Sequence, residues 1–149
     1  MKMQRTDSEG YLTNRAAKLF VQAMTQAMRP LGLASAYVPV FYALSEMPEM
    51  TQAELTAFVG IEQPTMAATL NRMDRDGLLT RRADPNDGRK QLIGLSDSGR
   101  EKVADMKAAL SRINSIATDG LDANERERHR ARLKSVIGNL EVLLAGDKA

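Results

Sequence analysis

Residues 51–89 read TQAELTAFVGIEQPTMAATLNRMDRDGLLTRRADPNDGR, and the reading of the whole chain turns on this stretch. Thr51-Gln-Ala-Glu54 has the form of a capping box, with Thr51 as the N-cap and Glu54 reaching back to its amide. Leu55, Phe58 and Val59 follow as the apolar face of a short helix, and Gly60 supplies a turn. A second helix is expected from Glu62 to Arg75. Pro64 is acceptable in its first turn, Glu62 is placed to cap it, and Met66, Leu70 and Met73 recur at i, i+4 and i+7 as its buried stripe. Two short helices joined through a glycine form a helix-turn-helix pattern, whose second helix suits the major groove of duplex DNA.

The period changes after Gly77, which ends that second helix. Leu78–Arg82 and Lys90–Leu95 are expected as short strands around Ala83-Asp-Pro-Asn-Asp-Gly-Arg89, whose Asp-Pro and Asp-Gly steps signal a hairpin loop. A hairpin directly after a helix-turn-helix is a wing.

Outward from this core the chain reads as helical. Residues 1–10 are expected as a loose arm. From Tyr11 to Met28, Leu12, Ala16, Leu19, Phe20, Ala23, Ala27 and Met28 keep helical spacing until Pro30 and Gly32 interrupt it. A helix starting near Ser35 is expected to bury Val38, Phe41, Tyr42 and Leu44, with Pro39 weakening only its first turns. Beyond the wing, Ser96 caps a helix with the stripe Val103, Met106, Leu110, Ile113 and Ala117. After Gly120, a second capping box, Asp122 with Glu125, opens a last helix carrying Leu133, Ile137, Leu140 and Leu144. The expected fold is mainly α with a small β-hairpin wing: a winged helix-turn-helix lobe over 34–96, flanked by helices over 11–29 and 97–145 in a single domain of 149 residues. Those flanking stripes need burial, on this chain or on a second copy. Two-fold DNA recognition favours the second copy, because one helix reads few bases.

On the outer face of the helix from Glu62, Gln63 can pair with adenine, Thr65 can reach a base edge or phosphate, and Ala67 or Ala68 can touch a thymine methyl. Thr69 and Asn71 are read on this same face, while Arg72 and Arg75 suit phosphates. In the wing, Arg89 and Lys90 follow the loop tip, Arg81 and Arg82 precede it, and Asp84 and Asp87 are expected to pair with nearby arginines. A guanidinium on a thin hairpin can enter a narrow minor groove. The alternatives are an ordinary polar helix face and a salt-bridged surface hairpin. The Arg126, Arg128, Arg130, Arg132 and Lys134 run spreads around its helix and reads as a solvated surface.

Composition narrows the function classes. The chain is 43% hydrophobic and 27% charged, as in an ordinary globular protein. No apolar run approaches bilayer length and residues 1–10 lack a signal-like apolar segment, so no membrane association and a cytoplasmic location are expected. The absence of cysteine excludes disulfides, thiol redox sensing and cysteine-based zinc sites. His129 is the single histidine and lies in a charged run. No nucleophile–base arrangement, phosphate loop or clustered carboxylates appear, so no cofactor, metal site or enzymatic activity is expected. The net charge of +2, with seven basic and six acidic residues from Ile61 to Arg100, is permissive toward DNA and equally open to a winged-helix protein-interaction module. Aromatic residues at 4% argue against single-strand stacking.

The chain resembles the MarR family of winged helix-turn-helix regulators over nearly its whole length. The resemblance is carried by Leu31-Gly-Leu33, Met50-Thr-Gln-Ala-Glu-Leu55, Gly60-Ile61, the run from Asn71 to Arg82, the wing Asp84-Pro-Asn-Asp-Gly-Arg89 and Leu95-Ser-Asp-Ser-Gly99. It implies a homodimer joined through the first and last two helices, bound to double-stranded DNA at a pseudo-palindromic site. It implies DNA contacts from Gln63, Pro64, Thr65, Ala67, Ala68, Asn71, Arg72, Arg75, Arg89 and Lys90, with Asp87 bracing Arg89. It further implies a repressor answering to a small aromatic or anionic effector, for which Tyr11, Met28, Tyr37 and Tyr42 are the candidate pocket residues. The chain departs from the family pattern at Ala67 and Ala68, where polar or basic residues are frequent, and at Pro64 in place of a small polar residue.

Overall fold

The computed structural model describes residues 5–146, which divide into two compact units at Ile113 and Asn114. In the first unit a 3-10 turn at Arg5–Asp7 leads to α1, Glu9–Met28, whose N-cap Ser8 accepts a hydrogen bond from the Tyr11 amide at 3.1 Å. The expected loose arm is therefore ordered from Arg5, because Ser8 satisfies a free amide of the first turn; residues 1–4 lie outside the described residues. Along α1 only Met28 is fully buried, while Leu12, Leu19, Phe20 and Val21 stay exposed.

A 3-10 turn at Ser35–Tyr37 opens α2, Val38–Glu46, with Pro39 in the first turn where its missing donor is tolerated. Val38, Val40, Phe41, Ala43 and Leu44 are buried, but Tyr42 is 41% exposed, contrary to the expected stripe. This helix is apolar on nearly every side, so Tyr42 takes the outward position.

The capping box forms as read from the sequence. The Thr51 amide donates to Glu54 Oε2 at 2.7 Å, and the Glu54 amide donates to Thr51 Oγ1 at 3.2 Å. The Thr51 amide first, and then the Thr51 hydroxyl, which donates to the same Glu54 Oε2 at 2.8 Å, hold the Glu54 carboxyl below its usual pKa. α3 spans Gln52–Val59, with Leu55 buried and Phe58 exposed, and Gly60 ends it at φ 72°, a left-handed conformation that glycine adopts without strain. α4 runs Gln63–Arg75, burying Met66, Thr69, Leu70 and Met73. Its N-cap Glu62 makes no side-chain cap bond, and Thr69, assigned to the solvent face from sequence, lies inside. Gly77, at φ 72°, turns the chain into the sheet.

The sheet has three strands rather than two. β1, Glu49–Met50, pairs antiparallel with β3, Gln91–Leu95, which pairs with β2, Leu79–Ala83, in the order β1-β3-β2. Leu79 faces Leu95 and Arg81 faces Ile93, so Leu79, Ile93 and Leu95 join one core with residues of α1 to α5. α5, Asp97–Ala117, enters this core through Met106 and the half-buried Val103 and Leu110.

The start of α5 is locked to the end of α4. Ser96 Oγ donates to the Gly77 carbonyl at 2.7 Å and accepts from the Gly99 amide at 3.0 Å, while the Ser96 amide donates to the Leu78 carbonyl at 3.0 Å. Arg100 adds a bond to the Leu95 carbonyl at 2.5 Å.

The second unit holds the last residues of α5, a turn at Gly120 with φ 84°, and α6, Ala123–Gly146. Its capping box is complete: the Glu125 amide donates to Asp122 Oδ1 and the Asp122 amide to Glu125 Oε2, both at 2.8 Å. No residue of α6 is buried; Leu133, Ile137, Leu140 and Leu144 are exposed with Val136 and Leu143. Among the described residues no helix is long and apolar enough to cross a membrane.

At Gly99 a Cβ would fall 2.2 Å from the Leu78 carbonyl oxygen, which is backbone and cannot rotate aside. Gly99→Ala is therefore expected to destabilise the fold by about 3 kcal/mol, the upper range for overpacking. In thermal unfolding followed by circular dichroism, an unchanged Tm would refute this tight seam.

Candidate nucleic-acid interface

α4 presents Gln63, Pro64, Thr65, Ala68, Asn71, Arg72 and Arg75 to solvent and leaves Ala67 half-buried. The buried stripe fixes this orientation. With Met66, Thr69, Leu70 and Met73 turned inward, roughly 100° per residue puts Pro64, Ala68, Asn71 and Arg75 along the centre of the opposite face. Gln63 is further constrained, because Gln52 Nε2 at the start of α3 donates to its Oε1 at 3.3 Å. That contact leaves the Gln63 amide hydrogens and one carbonyl lone pair for another partner. Nothing local marked Gln52 for this task, since the bond joins residues 11 apart across a turn.

The far end of α4 is held by two carboxylates. Asp74 Oδ2 accepts from Arg81 Nε on β2 at 3.0 Å, tying the helix to the wing. Asp76 Oδ2 accepts from the Tyr37 hydroxyl at 2.6 Å, tying it to the turn before α2. The Tyr37 residue is 1% exposed, and burial first, then the Asp76 contact, pushes the phenol pKa up to about 12.

Behind the wing tip, Arg82 of β2 makes a two-pronged pair with Glu49 of β1. Arg82 Nε donates to Oε1 at 2.6 Å, and the second nitrogen bonds Oε2; together they hold the Glu49 carboxyl below its usual pKa. The pair spans the central strand, where Gly94 lies opposite both Glu49 and Thr80. A Cβ at Gly94 would come within 3.0 Å of the Pro48 carbonyl oxygen and 3.3 Å of Thr80 Oγ1. Arg81 and Arg82, read from sequence as part of the wing's basic edge, are thus committed to internal ion pairs.

The loop itself is shaped by its acids. Asp84 Oδ1 accepts from the Asn86 amide at 2.8 Å, and main-chain bonds close Asp84 against Lys90 and Lys90 against Asp87. Asp84 makes no ion pair with arginine among the described residues, unlike the expectation, because its carboxylate is spent on the turn backbone. Asp87 Oδ1 accepts from Arg89 Nε and from the Arg89 amide, each at 3.1 Å. The Arg89 side chain contributes most to holding the Asp87 carboxyl below its usual pKa, and the amide adds to it. Even so, the Arg89 side chain is 92% exposed, aimed outward from a fixed base. A groove of about 680 Å³ runs between the first turn of α3 and the hairpin, bordered by Glu54, Arg89 and Lys90.

The four candidate pocket residues are not brought together. Met28 and Tyr37 are packed in the core and Tyr42 is exposed on α2. Tyr11 borders a separate groove of about 570 Å³ along α1 with Asn14, Arg15 and Lys18, and its hydroxyl accepts from Arg15 at 3.4 Å.

A sequence model of the MarR family matches residues 31–90. A probable transcriptional regulator from Pseudomonas aeruginosa is 28% identical, with a TM-score of 0.79 covering 87% of this chain and 97% of its own. The transcriptional repressor CouR bound to a 23-mer DNA duplex is 26% identical, with a TM-score of 0.82 over 92% of this chain and 98% of that one. CouR from Rhodococcus jostii bound to p-coumaroyl-CoA is 24% identical, with a TM-score of 0.79 over 90% and 94%.

The Tyr37–Asp76 hydrogen bond stabilises the fold only while the Tyr37 hydroxyl keeps its proton. Its folded-state pKa of about 12 exceeds the phenol's ordinary value of 10.0, so the contribution is intact below pH 10 and is lost as pH rises toward 12. That shift corresponds to roughly 2–3 kcal/mol. Urea unfolding at pH 9 and at pH 11.5 should show a larger loss for the natural chain than for Tyr37→Phe. Equal losses would mean that the Tyr37–Asp76 bond does not anchor α4.

Proposed function

We propose, from the premise that this chain is a DNA-binding transcriptional regulator homologous to the MarR-family winged helix-turn-helix proteins, that it is a sequence-specific repressor released by a small effector. It acts as a homodimer on a pseudo-palindromic duplex. The observation that carries this reading is the pairing of two rigid projections on one lobe. One is the outer face of α4, braced by Gln52, Asp74 and Asp76; the other is the outward Arg89 guanidinium, braced by Asp87. α4 reads the major groove through Gln63, Thr65, Ala67, Ala68 and Asn71, with Arg72 and Arg75 on phosphates. Arg89 enters the adjacent minor groove, where negative potential is concentrated, and Lys90 meets the backbone beside it.

Dimerisation is supported by apolar residues that stay exposed on the single chain: Leu12, Leu19 and Phe20 on α1, and Leu133, Ile137, Leu140 and Leu144 on α6. A second copy is the partner that would cover them. The effector reading draws on the groove along α1, where Tyr11 offers a ring beside Arg15 and Lys18. That combination suits a small aromatic anion, and the relative CouR has been crystallised with p-coumaroyl-CoA. The 34–96 lobe and its flanking helices are the division of labour this reading implies.

Arg89→Ala should weaken binding to a selected duplex about tenfold or more, the loss expected for a desolvated charged hydrogen bond on each subunit, without lowering Tm. Gln63→Ala should change base preference while leaving the salt dependence intact. Titrations by fluorescence anisotropy between 50 and about 200 mM salt give both readouts. A chain that binds no duplex, or binds with no salt dependence, is a protein-docking module instead.

A further inference from the structure

Over its first two turns, the centre of α4's outer face carries no hydrogen-bonding side chain. Pro64 and Ala68 are both exposed on it, and Ala67 flanks them half-buried. Pro64 has no amide hydrogen, and none of the three carries a polar side-chain atom. The polar groups of the same face lie at its borders or farther along: Gln63 on one side, held by Gln52, Thr65 on the other, and Asn71 and Arg75 beyond.

Major-groove base edges offer donors and acceptors, with one apolar exception, the C5-methyl of thymine. A proline ring or alanine methyl pressed against the bare edge of a G·C pair leaves that edge desolvated without a partner, at a cost of about 1–3 kcal/mol. Against a thymine methyl the same side chains exclude water favourably, by roughly 0.8 kcal/mol per methyl buried. The helical rise sets the spacing: Pro64 and Ala68 are about 6 Å apart along the axis, close to two base-pair steps of about 3.4 Å.

We infer that Pro64, Ala67 and Ala68 are a methyl-reading patch that selects thymines at one or two fixed positions of each half-site. The inference rests on the DNA-binding reading above and names the base class that the apolar part of the surface takes. Gln63, at the border of the patch with a free lone pair and two amide hydrogens, is placed to take the adenine of a neighbouring A·T pair through its N6 and N7. The half-site core is then thymine-rich on the strand facing α4, and its discrimination against cytosine depends on a methyl group rather than on a hydrogen bond.

Deoxyuridine differs from thymidine only by that methyl, so it isolates the effect. Duplexes would first be selected from a randomised pool with the full-length chain, then resynthesised with uracil replacing thymine one symmetric pair at a time. At the positions under α4, affinity at fixed salt should fall about fourfold for each methyl removed, with less than a twofold change elsewhere in the site. The variant Ala68→Ser, checked by thermal unfolding for an intact fold, should lose this uracil sensitivity at one position and keep it at the other. Uniform affinity for thymine and uracil duplexes overturns the inference while leaving DNA binding standing. So does uracil sensitivity that Ala68→Ser leaves unchanged at every position, which would place the methyl effect in DNA shape. Selection of no duplex at all overturns the DNA-binding reading and the methyl patch together.

Discussion

The close approach of the Gly77–Leu78 backbone to the first turn of α5 is the constraint on which the rest of the lobe depends. Ser96 spans this seam, donating to the carbonyls of Gly77 and Leu78 while accepting from Gly99, and Gly99 contributes the missing side chain that lets the chains meet. The seam sets where α4 stops, where β2 begins and the direction in which α5 leaves. With those three directions fixed, the core cluster from Met28 to Met106 closes around Leu70, Met73, Leu79 and Ile93. α4 and the β2–β3 hairpin are therefore tied together within the one chain.

Features encoded within a few residues were legible before any coordinates. Thr51 with Glu54, Asp122 with Glu125, Gly60 and the Asp87-Gly-Arg89 tip all behave as their local chemistry requires. The misreadings share a different cause, which is distance along the chain. β1 is two residues long and exists only because β3 supplies its partner. The Tyr37–Asp76 bond and the Arg82–Glu49 pair join residues 39 and 33 apart, and no pattern in sequence announces either. Helical phase failed where a helix had little polar contrast: Tyr42 points outward from the apolar α2, and Thr69 completes the buried side of α4. The candidate surface on α4 could be named from sequence, but the groups that orient it, Gln52, Asp74, Asp76 and Tyr37, could not.

Charge on the lobe is arranged by pairing rather than by excess. Arg81 and Arg82 serve the architecture of the wing, one against Asp74 and the other across Gly94 to Glu49. Exposed carboxylate–guanidinium pairs contribute little to stability individually. Their effect here is geometric, since each joins two elements that must present a common surface. The near-neutral balance of this region follows from that use of arginine and does not measure its capacity to meet a phosphate backbone.

If Arg89 meets DNA as proposed, the Asp87 brace on it has a kinetic consequence. A carboxylate 3.1 Å from the guanidinium largely cancels its field at a distance, while the exposed nitrogens remain available at contact range. Retention on arbitrary DNA scales with the net number of phosphates neutralised, so on the proposed reading a self-compensated tip would hold only loosely to non-cognate sequence. Its rotamer is already restricted before encounter, which reduces the ordering loss when a fitting groove is reached. Under the proposed DNA-binding function, a wing built this way would favour short dwell times during the search along a genome, and would reserve a long residence for the site that matches its shape.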